Sequence, residues 1–242
     1  VNNVLTIIPA KLGSTRLPKK NIRLLLGKPM MNYTIEAALA SGVCGEIMVS
    51  TESDEVAQIA KAAGAKVPFL RPDYLGKDPY GVVDVCMNVL DEYAKRGCLF
   101  KKLFILLPTS PLRNEEDIIT ADRIFNDRNA SFLMSVSEFE HNPFGALQIK
   151  DADNDIMSPC FSDYIGKKRH ELAKTFRVNG AICILNVKAF QEAGTYYGHP
   201  LHSYIMPWQR SVDVDTDIDL KFAELLITEG LSNEPVIQKG TN

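Results

Sequence analysis

Between Pro9 and Asn21 the chain reads Pro9-Ala10-Lys11-Leu12-Gly13-Ser14-Thr15-Arg16-Leu17-Pro18-Lys19-Lys20-Asn21, setting four cations, Lys11, Arg16, Lys19 and Lys20, within ten residues. Gly13 and Ser14 leave backbone N–H groups open to close approach, and clustered cations beside open amides suit the oxygens of a polyphosphate. The spacing differs from the G-x-x-x-x-G-K-[ST] phosphate loop, and no G-x-G-x-x-G occurs in the chain. A solvated basic loop is the competing reading of the same residues. Far along the chain, Asp213-x-Asp215 puts two carboxylates on alternate residues of an expected strand end. Alternate strand residues share a face, so the pair can hold a hard cation such as Mg²⁺. The competing reading is an acid-rich helix N-terminus that complements the macrodipole, and for Asp217 and Asp219 that is the preferred one.

Other chemistry-bearing residues read more plainly. His199-x-x-His202 lies among Gly198 and Pro200 with no acidic partner nearby, which suits a surface loop better than a zinc site. The five cysteines, Cys44, Cys86, Cys98, Cys160 and Cys183, are odd in number and form no C-x-x-C pair, as expected of a reducing, cytoplasmic compartment. Cys86 and Cys183 fall on expected core faces.

These residues need elements to position them. The chain has 242 residues, 45% of them hydrophobic, enough for one sizeable core. Its 27 Lys and Arg against 30 Asp and Glu leave a net charge of only -3, which argues against a nucleic-acid clamp or a basic membrane-surface protein. The longest apolar runs, 4–10 and 103–108, are far short of the roughly 20 residues that span a bilayer, and no signal peptide is evident. Apolar strand-like runs alternate with helical patterns, the signature of βαβ units on a mainly parallel sheet. Strands are expected at 4–9, 46–50, 67–70, 103–107, 131–136, 181–185 and 211–214. Helices are expected at 29–40, after a Thr51-x-x-Asp54 box, at 82–93, behind an Asn114 cap to about 127, and after a Thr216-x-x-Asp219 box. Between about 138 and 175 the rhythm fails, and the basic run Lys167-Lys168-Arg169 falls there. The reading is one α/β domain over 1–242 with an inserted lobe at about 138–175. The loop after the first strand then faces the crevice where such folds bind ligands.

Four segments together resemble the acylneuraminate (CMP-sialic acid synthetase) cytidylyltransferases: Ile8-Pro9-Ala10 with Gly13-Ser14 and Lys20-Asn21; Pro108-Thr109-Ser110-Pro111-Leu112-Arg113; Phe176-Arg177-Val178-Asn179-Gly180-Ala181-Ile182; and Ser211-Val212-Asp213-Val214-Asp215-Thr216. They fall in the family's order and span nearly the whole chain. The resemblance implies a three-layer α/β/α nucleotide-diphospho-sugar transferase (Rossmann-like) fold. The implied reaction joins CTP to a nonulosonic acid, a nine-carbon 2-keto sugar acid of the sialic, legionaminic or pseudaminic type, for cell-surface polysaccharide. Its products would be the CMP-sugar and pyrophosphate, and its cofactor Mg²⁺.

The resemblance also implies roles. Ala10, Lys11, Gly13, Ser14, Arg16, Lys20 and Asn21 would hold the triphosphate and ribose, and Arg71 would reach the base. Lys20, Asp213 and Asp215 would be catalytic, the two aspartates holding the metal. Pro108, Thr109, Ser110, Arg169, Arg177 and Asn179 would lie on the sugar side, where His141 could also enter if it is not simply a turn residue. The lobe would make a homodimer and lend residues such as Arg169 to the neighbouring site. Three departures stand out: Lys11 replaces the family's usual Arg, Leu107 its usual Gln, and Pro79-Tyr80-Gly81-Val82 a Ser/Thr-rich segment. The stretch Ser14-Thr15-Arg16-Leu17-Pro18 also resembles the loop of the 3-deoxy-manno-octulosonate cytidylyltransferases. That sugar is therefore an alternative substrate, and a catalytically degenerate nucleotide- or sugar-binding relative is a second alternative.

Overall fold

The computed structural model describes residues 3–151 and 153–233. In chain order its elements are β1 (Val4–Pro9), β2 (Leu24–Leu25), β3 (Lys28–Pro29), α1 (Met30–Ser41), β4 (Glu46–Ser50), α2 (Asp54–Ala62), α3 (Val82–Lys95) and β5 (Lys102–Ile105). There follow α4 (Glu115–Asp127), β6 (Phe132–Glu138), β7 (Leu147–Asp151), β8 (Ile156–Pro159), β9 (Phe176–Asn186), α5 (Val187–Ala193), β10 (Leu201–Ile205) and α6 (Asp217–Thr228). Six strands form one sheet in the order β10-β6-β9-β5-β1-β4. Only β9 runs against its neighbours, and the β1–β4, β1–β5 and β6–β10 pairs are parallel.

The sheet is buried on both faces because its strands alternate between two cores. Ile8 of β1, Val49 of β4 and Phe104 of β5 pack with α1, α2 and α4 through Ile35, Ala60 and Ile118. Leu5 and Ile7 of β1 face the other way, with Val89 and Leu90 of α3 and Phe190 of α5. A third cluster places α6 under the first loop: Leu220, Ala223 and Leu226 meet Leu17, Leu25 and Val214. No described helix is long and apolar enough to cross a membrane.

Several boundaries differ from expectation for local reasons. Residues 67–70 form no strand; a single bridge joins Met48 to Lys66, and Pro68 then lacks the N–H that a ladder would need. The cap of α2 is Ser53, whose hydroxyl accepts from Val56 N, while Thr51 accepts from Ser53 N. Segment 211–214 is not a strand: in it the Val214 amide reaches across to Thr109 O at 2.8 Å, while the Ser211 amide turns back to Trp208 O. The strand expected at 181–185 extends back to Phe176, with its register against β6 broken between Met134 and Val136. The boxes Asn114/Asp117 and Thr216/Asp219 cap α4 and α6 as expected.

Segment 138–175 carries the β7–β8 hairpin, and none of its described residues is buried. Leu147, Ile149, Ile156 and Met157 stand exposed along the hairpin. Phe144 stacks on Tyr164 with ring centres 4.2 Å apart and meets Phe161 edge-on at 5.6 Å.

Candidate active site

At the ends of β1 and β5 the chain encloses a cavity of about 400 Å³. Pro9, the last residue of β1, opens the first loop into it, and Leu107, Pro108 and Thr109 form the opposite wall. The loop is held by its own polar atoms: Asn21 Nδ2 donates to Lys11 O at 2.8 Å, and Lys11 Nζ reaches Gly76 O at 3.3 Å. Lys19 adopts left-handed backbone at φ 53° and sends its ammonium outward to Glu55 at 2.8–2.9 Å. The four cations expected from the sequence are therefore three at the cavity, Lys11, Arg16 and Lys20, and one on the surface.

The acidic pair lies at the same end. Asp213 and Asp215 both line the cavity, while Val214 between them is buried under α6. The alternation expected of a strand is thus kept by an irregular segment, because Val214 is anchored by its side chain and by its bond to Thr109. Lys20 Nζ lies 2.5 Å from Asp215 Oδ1, and Arg16 Nη2 2.6 Å from Oδ2. Asp213 receives a hydrogen bond from the Thr109 side chain. Solvent reaches Asp213 through the mouth of the cavity, yet the surrounding protein desolvates it and pushes its carboxyl above the usual range. Asp215 and Asp219 add to that push, which Thr109 and Lys20 oppose.

The remaining expected residues divide by burial. Gly13, Ser14, Asn21 and Arg71 line the cavity. Ala10 does not: it is fully buried, and its amide continues the sheet by donating to Ser50 O. Ser110 and Asn179 also lie inside, where Ser110 Oγ reaches Asn179 O and Asn179 joins Ser135 and Ser211. Buried Arg113 donates to Ala181 O at 2.7 Å and to Leu107 O, holding the Pro-Thr-Ser loop against β9. Arg177 is exposed on β9 with Nε on Ser137 Oγ. Arg169 and His141 line a separate hollow at the base of the lobe. Within one chain the basic lobe and the cavity are not brought together.

Glu52 is a residue that motif reading missed. It lies inside the Thr51-x-x-Asp54 entry to α2, yet its place just beyond β4 puts it at the carboxyl end of a parallel strand, where ligand crevices form. Its Oε1 accepts from Leu12 N and its Oε2 from Arg71. Burial opposes the charge on Glu52, but the Leu12 and Glu52 amides and the Arg71 guanidinium outweigh it and hold the carboxyl below the usual range.

Among the described residues no group of three or more His, Cys, Asp or Glu could hold a metal ion by itself. Two carboxylates beside the cations of the cavity nevertheless fit Mg²⁺, which takes one or two protein carboxylates and fills its shell with substrate phosphates and water.

A family model described as cytidylyltransferase matches residues 5–97. The CMP-N,N'-diacetyllegionaminic acid synthase of Legionella pneumophila subsp. pneumophila is 35% identical over 228 residues, 93% of this chain and 96% of that one. The pseudaminic acid cytidylyltransferase of Campylobacter jejuni subsp. jejuni is 31% identical over 223 residues, 92% and 95% of the two chains. Among solved structures, a CMP:2-keto-3-deoxy-manno-octonic acid synthetase complexed with CTP superposes with a TM-score of 0.69 at 18% identity, covering 94% of this chain and 99% of its own. The six-stranded, mostly parallel α/β sheet matches that fold, and near-full-length identity above 30% reaches further than fold. The chain belongs to the acylneuraminate-type cytidylyltransferase family and is a nucleotidyltransferase.

Proposed function

We propose that the protein activates a nonulosonic acid, of the legionaminic, pseudaminic or sialic type, with CTP to give the CMP-sugar and pyrophosphate. The observation that carries this reading is the meeting of Arg16, Lys20, Asp213 and Asp215 at one end of the cavity. Positioning and charge neutralisation are what phosphoryl and nucleotidyl transfer demand of a protein. The amides of Gly13 and Ser14, with Lys11, Arg16, Lys20 and Asn21, hold the triphosphate and ribose, and Arg71 reads the base from the far side of the cavity.

A sugar hydroxyl attacks the α-phosphorus, and the bond to the β-phosphate oxygen breaks as pyrophosphate leaves. Lys20 and Arg16 stabilise the charge that grows on the leaving group. Asp213 and Asp215 would hold Mg²⁺, which when bound would supply neutralisation of part of that charge. A carboxylate of the Asp213–Asp215 pair receives the hydroxyl proton. Pro108 and Thr109 border the sugar side.

We further infer one three-layer nucleotidyltransferase domain in which the lobe at 138–175 pairs two copies, bringing Arg169 and Arg177 toward a neighbouring site. The exposed hairpin residues, which have no core of their own, support this. The free thiols suit the cytoplasmic location we assign.

The test is purified protein with CTP, Mg²⁺ and a panel of N,N'-diacetyllegionaminic, pseudaminic, N-acetylneuraminic and 3-deoxy-manno-octulosonic acids, read as pyrophosphate release. Turnover confined to the eight-carbon acid would favour the octulosonate reading, which rests on residues 14–18. Tight CTP binding with no turnover on any acid would favour a degenerate binding protein, a reading motivated by Lys11, Leu107 and residues 79–82.

A further inference from the structure

Glu52 has no part in the roles assigned above, yet its carboxylate ties together two walls of the nucleotide cavity. Oε1 accepts from the Leu12 amide at 2.7 Å, in the first loop, while Oε2 accepts from Arg71 Nε at 3.1 Å and Nη2 at 2.7 Å. The Arg71 side chain is only 3% exposed and Glu52 18%, so the bridge is well shielded from water. Arg71 lines the cavity even so. Its Nε and Nη2 are turned toward Glu52, and no hydrogen bond engages Nη1 among the described residues.

We propose that Glu52 is the positioning residue for base selection, fixing the Arg71 guanidinium so that its free edge donates into the cavity in register with the phosphate loop. The proposal rests on the reading of Arg71 as the residue that meets the base. Cytosine presents two acceptors, N3 and O2, to such an edge, whereas uracil carries a hydrogen on N3. A guanidinium held in one orientation therefore donates twice to cytosine and meets a donor on uracil. An unheld guanidinium can swing to O4 or to solvent and lose that distinction. The Leu12 bond adds register, because the same carboxylate sets where the base and the phosphates lie relative to each other.

The experiment measures CTP and UTP affinity by calorimetry, with no sugar acid present, for the full-length protein and for Glu52→Gln, Glu52→Asp and Arg71→Ala. An amide offers one acceptor oxygen and one NH₂, so in Glu52→Gln either Leu12 N or Arg71 faces a donor. The expected result is a CTP preference in the wild type that falls about tenfold or more in Glu52→Gln, the scale of one well-made two-bond contact to a base. Glu52→Asp keeps the charge but is a methylene shorter, so it should fall less; it also serves as the reporter if Glu52→Gln does not fold. A merely structural role would weaken both nucleotides equally and leave their ratio unchanged, which overturns the proposal. If Arg71→Ala abolishes the preference while both Glu52 variants keep it, Glu52 is not the positioning residue but the base reading stands. If Arg71→Ala also keeps it, the base reading itself fails.

Discussion

Replacing Arg16 with alanine should tighten the binding of a divalent cation to the nucleotide-free protein. Both oxygens of Asp215 are taken by cations, Lys20 at 2.5 Å and Arg16 at 2.6 Å, so an arriving metal ion meets a carboxylate that is already neutralised. The Arg16 side chain is 67% exposed and Lys20 only 16%, so Arg16 is the partner that can be removed without opening the floor of the site. Two unit charges about 4 Å apart in water interact by about 1 kcal/mol, so a divalent ion is repelled by about 2 kcal/mol, reduced by salt to about 1–2 kcal/mol. Arg16→Ala should then bind Mn²⁺ about five- to thirtyfold more tightly, while folding stability changes by about 0–1 kcal/mol, as for an exposed ion pair. The assay is electron paramagnetic resonance of free Mn²⁺ during titration, repeated at high salt, where the gain should shrink. Asp215→Asn, which removes the ligand itself, should lose Mn²⁺. An affinity for Arg16→Ala within about twofold of wild type at low salt, well short of the Coulomb figure, would refute the reasoning. Linkage gives the functional counterpart: a triphosphate that draws Arg16 and Lys20 off Asp215 promotes metal binding, and the metal promotes triphosphate binding by the same factor.

The raised carboxyl of Asp213 predicts the pH profile. Ionised Asp213 is the working form, so kcat/KM should fall as pH drops through a value above the ordinary carboxylate range, and Asp213→Asn should leave only a residual rate whose pH profile lacks that limb. For stability the sign is opposite: the folded state holds this proton more tightly, so the contribution of Asp213 favours folding at low pH and is lost as pH rises through the raised value. Asp117 is fully buried and takes Arg210 through Nε at 2.8 Å and Nη2 at 2.9 Å, with Tyr204 OH at 2.7 Å. Asp117→Ala should therefore lower unfolding free energy by about 3–5 kcal/mol in urea titrations, and a loss under about 1 kcal/mol would contradict the buried pair. Ile149, 66% exposed on the lobe hairpin, should be an interface residue; Ile149→Asp should give monomers by light scattering, where the wild type gives dimers.

The strands legible in the sequence are those buried on both faces. β1, β4 and β5 are built around Ile, Leu, Val, Met and Phe on successive residues, which cannot be mistaken for a one-sided pattern. Residues 67–70 are similarly apolar, but composition does not report that Pro68 halts the ladder after one bridge or that only Val67 of the four is buried. β10 is hard to read for the opposite reason: Leu-His-Ser-Tyr-Ile at the sheet edge buries only Tyr204 and offers no apolar run. Helix α5 is seven residues long, too short for a periodicity to declare itself, although Asn186 caps it by accepting from Ala189 N.

The site divides along similar lines. Residues whose chemistry is carried by charge density in one stretch, such as Lys11 to Lys20, can be found by reading along the chain, but whether a cation faces in or out depends on partners far along it, as Lys19 illustrates by meeting Glu55. Residues that act by holding others leave no local trace. Asn179 spends its amide inside the protein: Nδ2 donates to Ser211 Oγ at 2.9 Å, and Oδ1 accepts from Ser135 Oγ at 2.6 Å and from Ala181 N at 3.2 Å. Ser211 in turn donates to Pro207 O and begins the segment that carries Asp213. A buried amide with these bonds filled is committed to the wall, and what it supplies to the site is the place where the irregular segment 211–214 starts. That start, the Val214 anchor under α6 and the Thr109 bond are what allow a segment without a ladder to aim two carboxylates the same way. The aspartates could be picked out as a spaced pair. Their common direction follows from contacts to residues 32 and more than 100 positions away, information that exists only once the chain has folded.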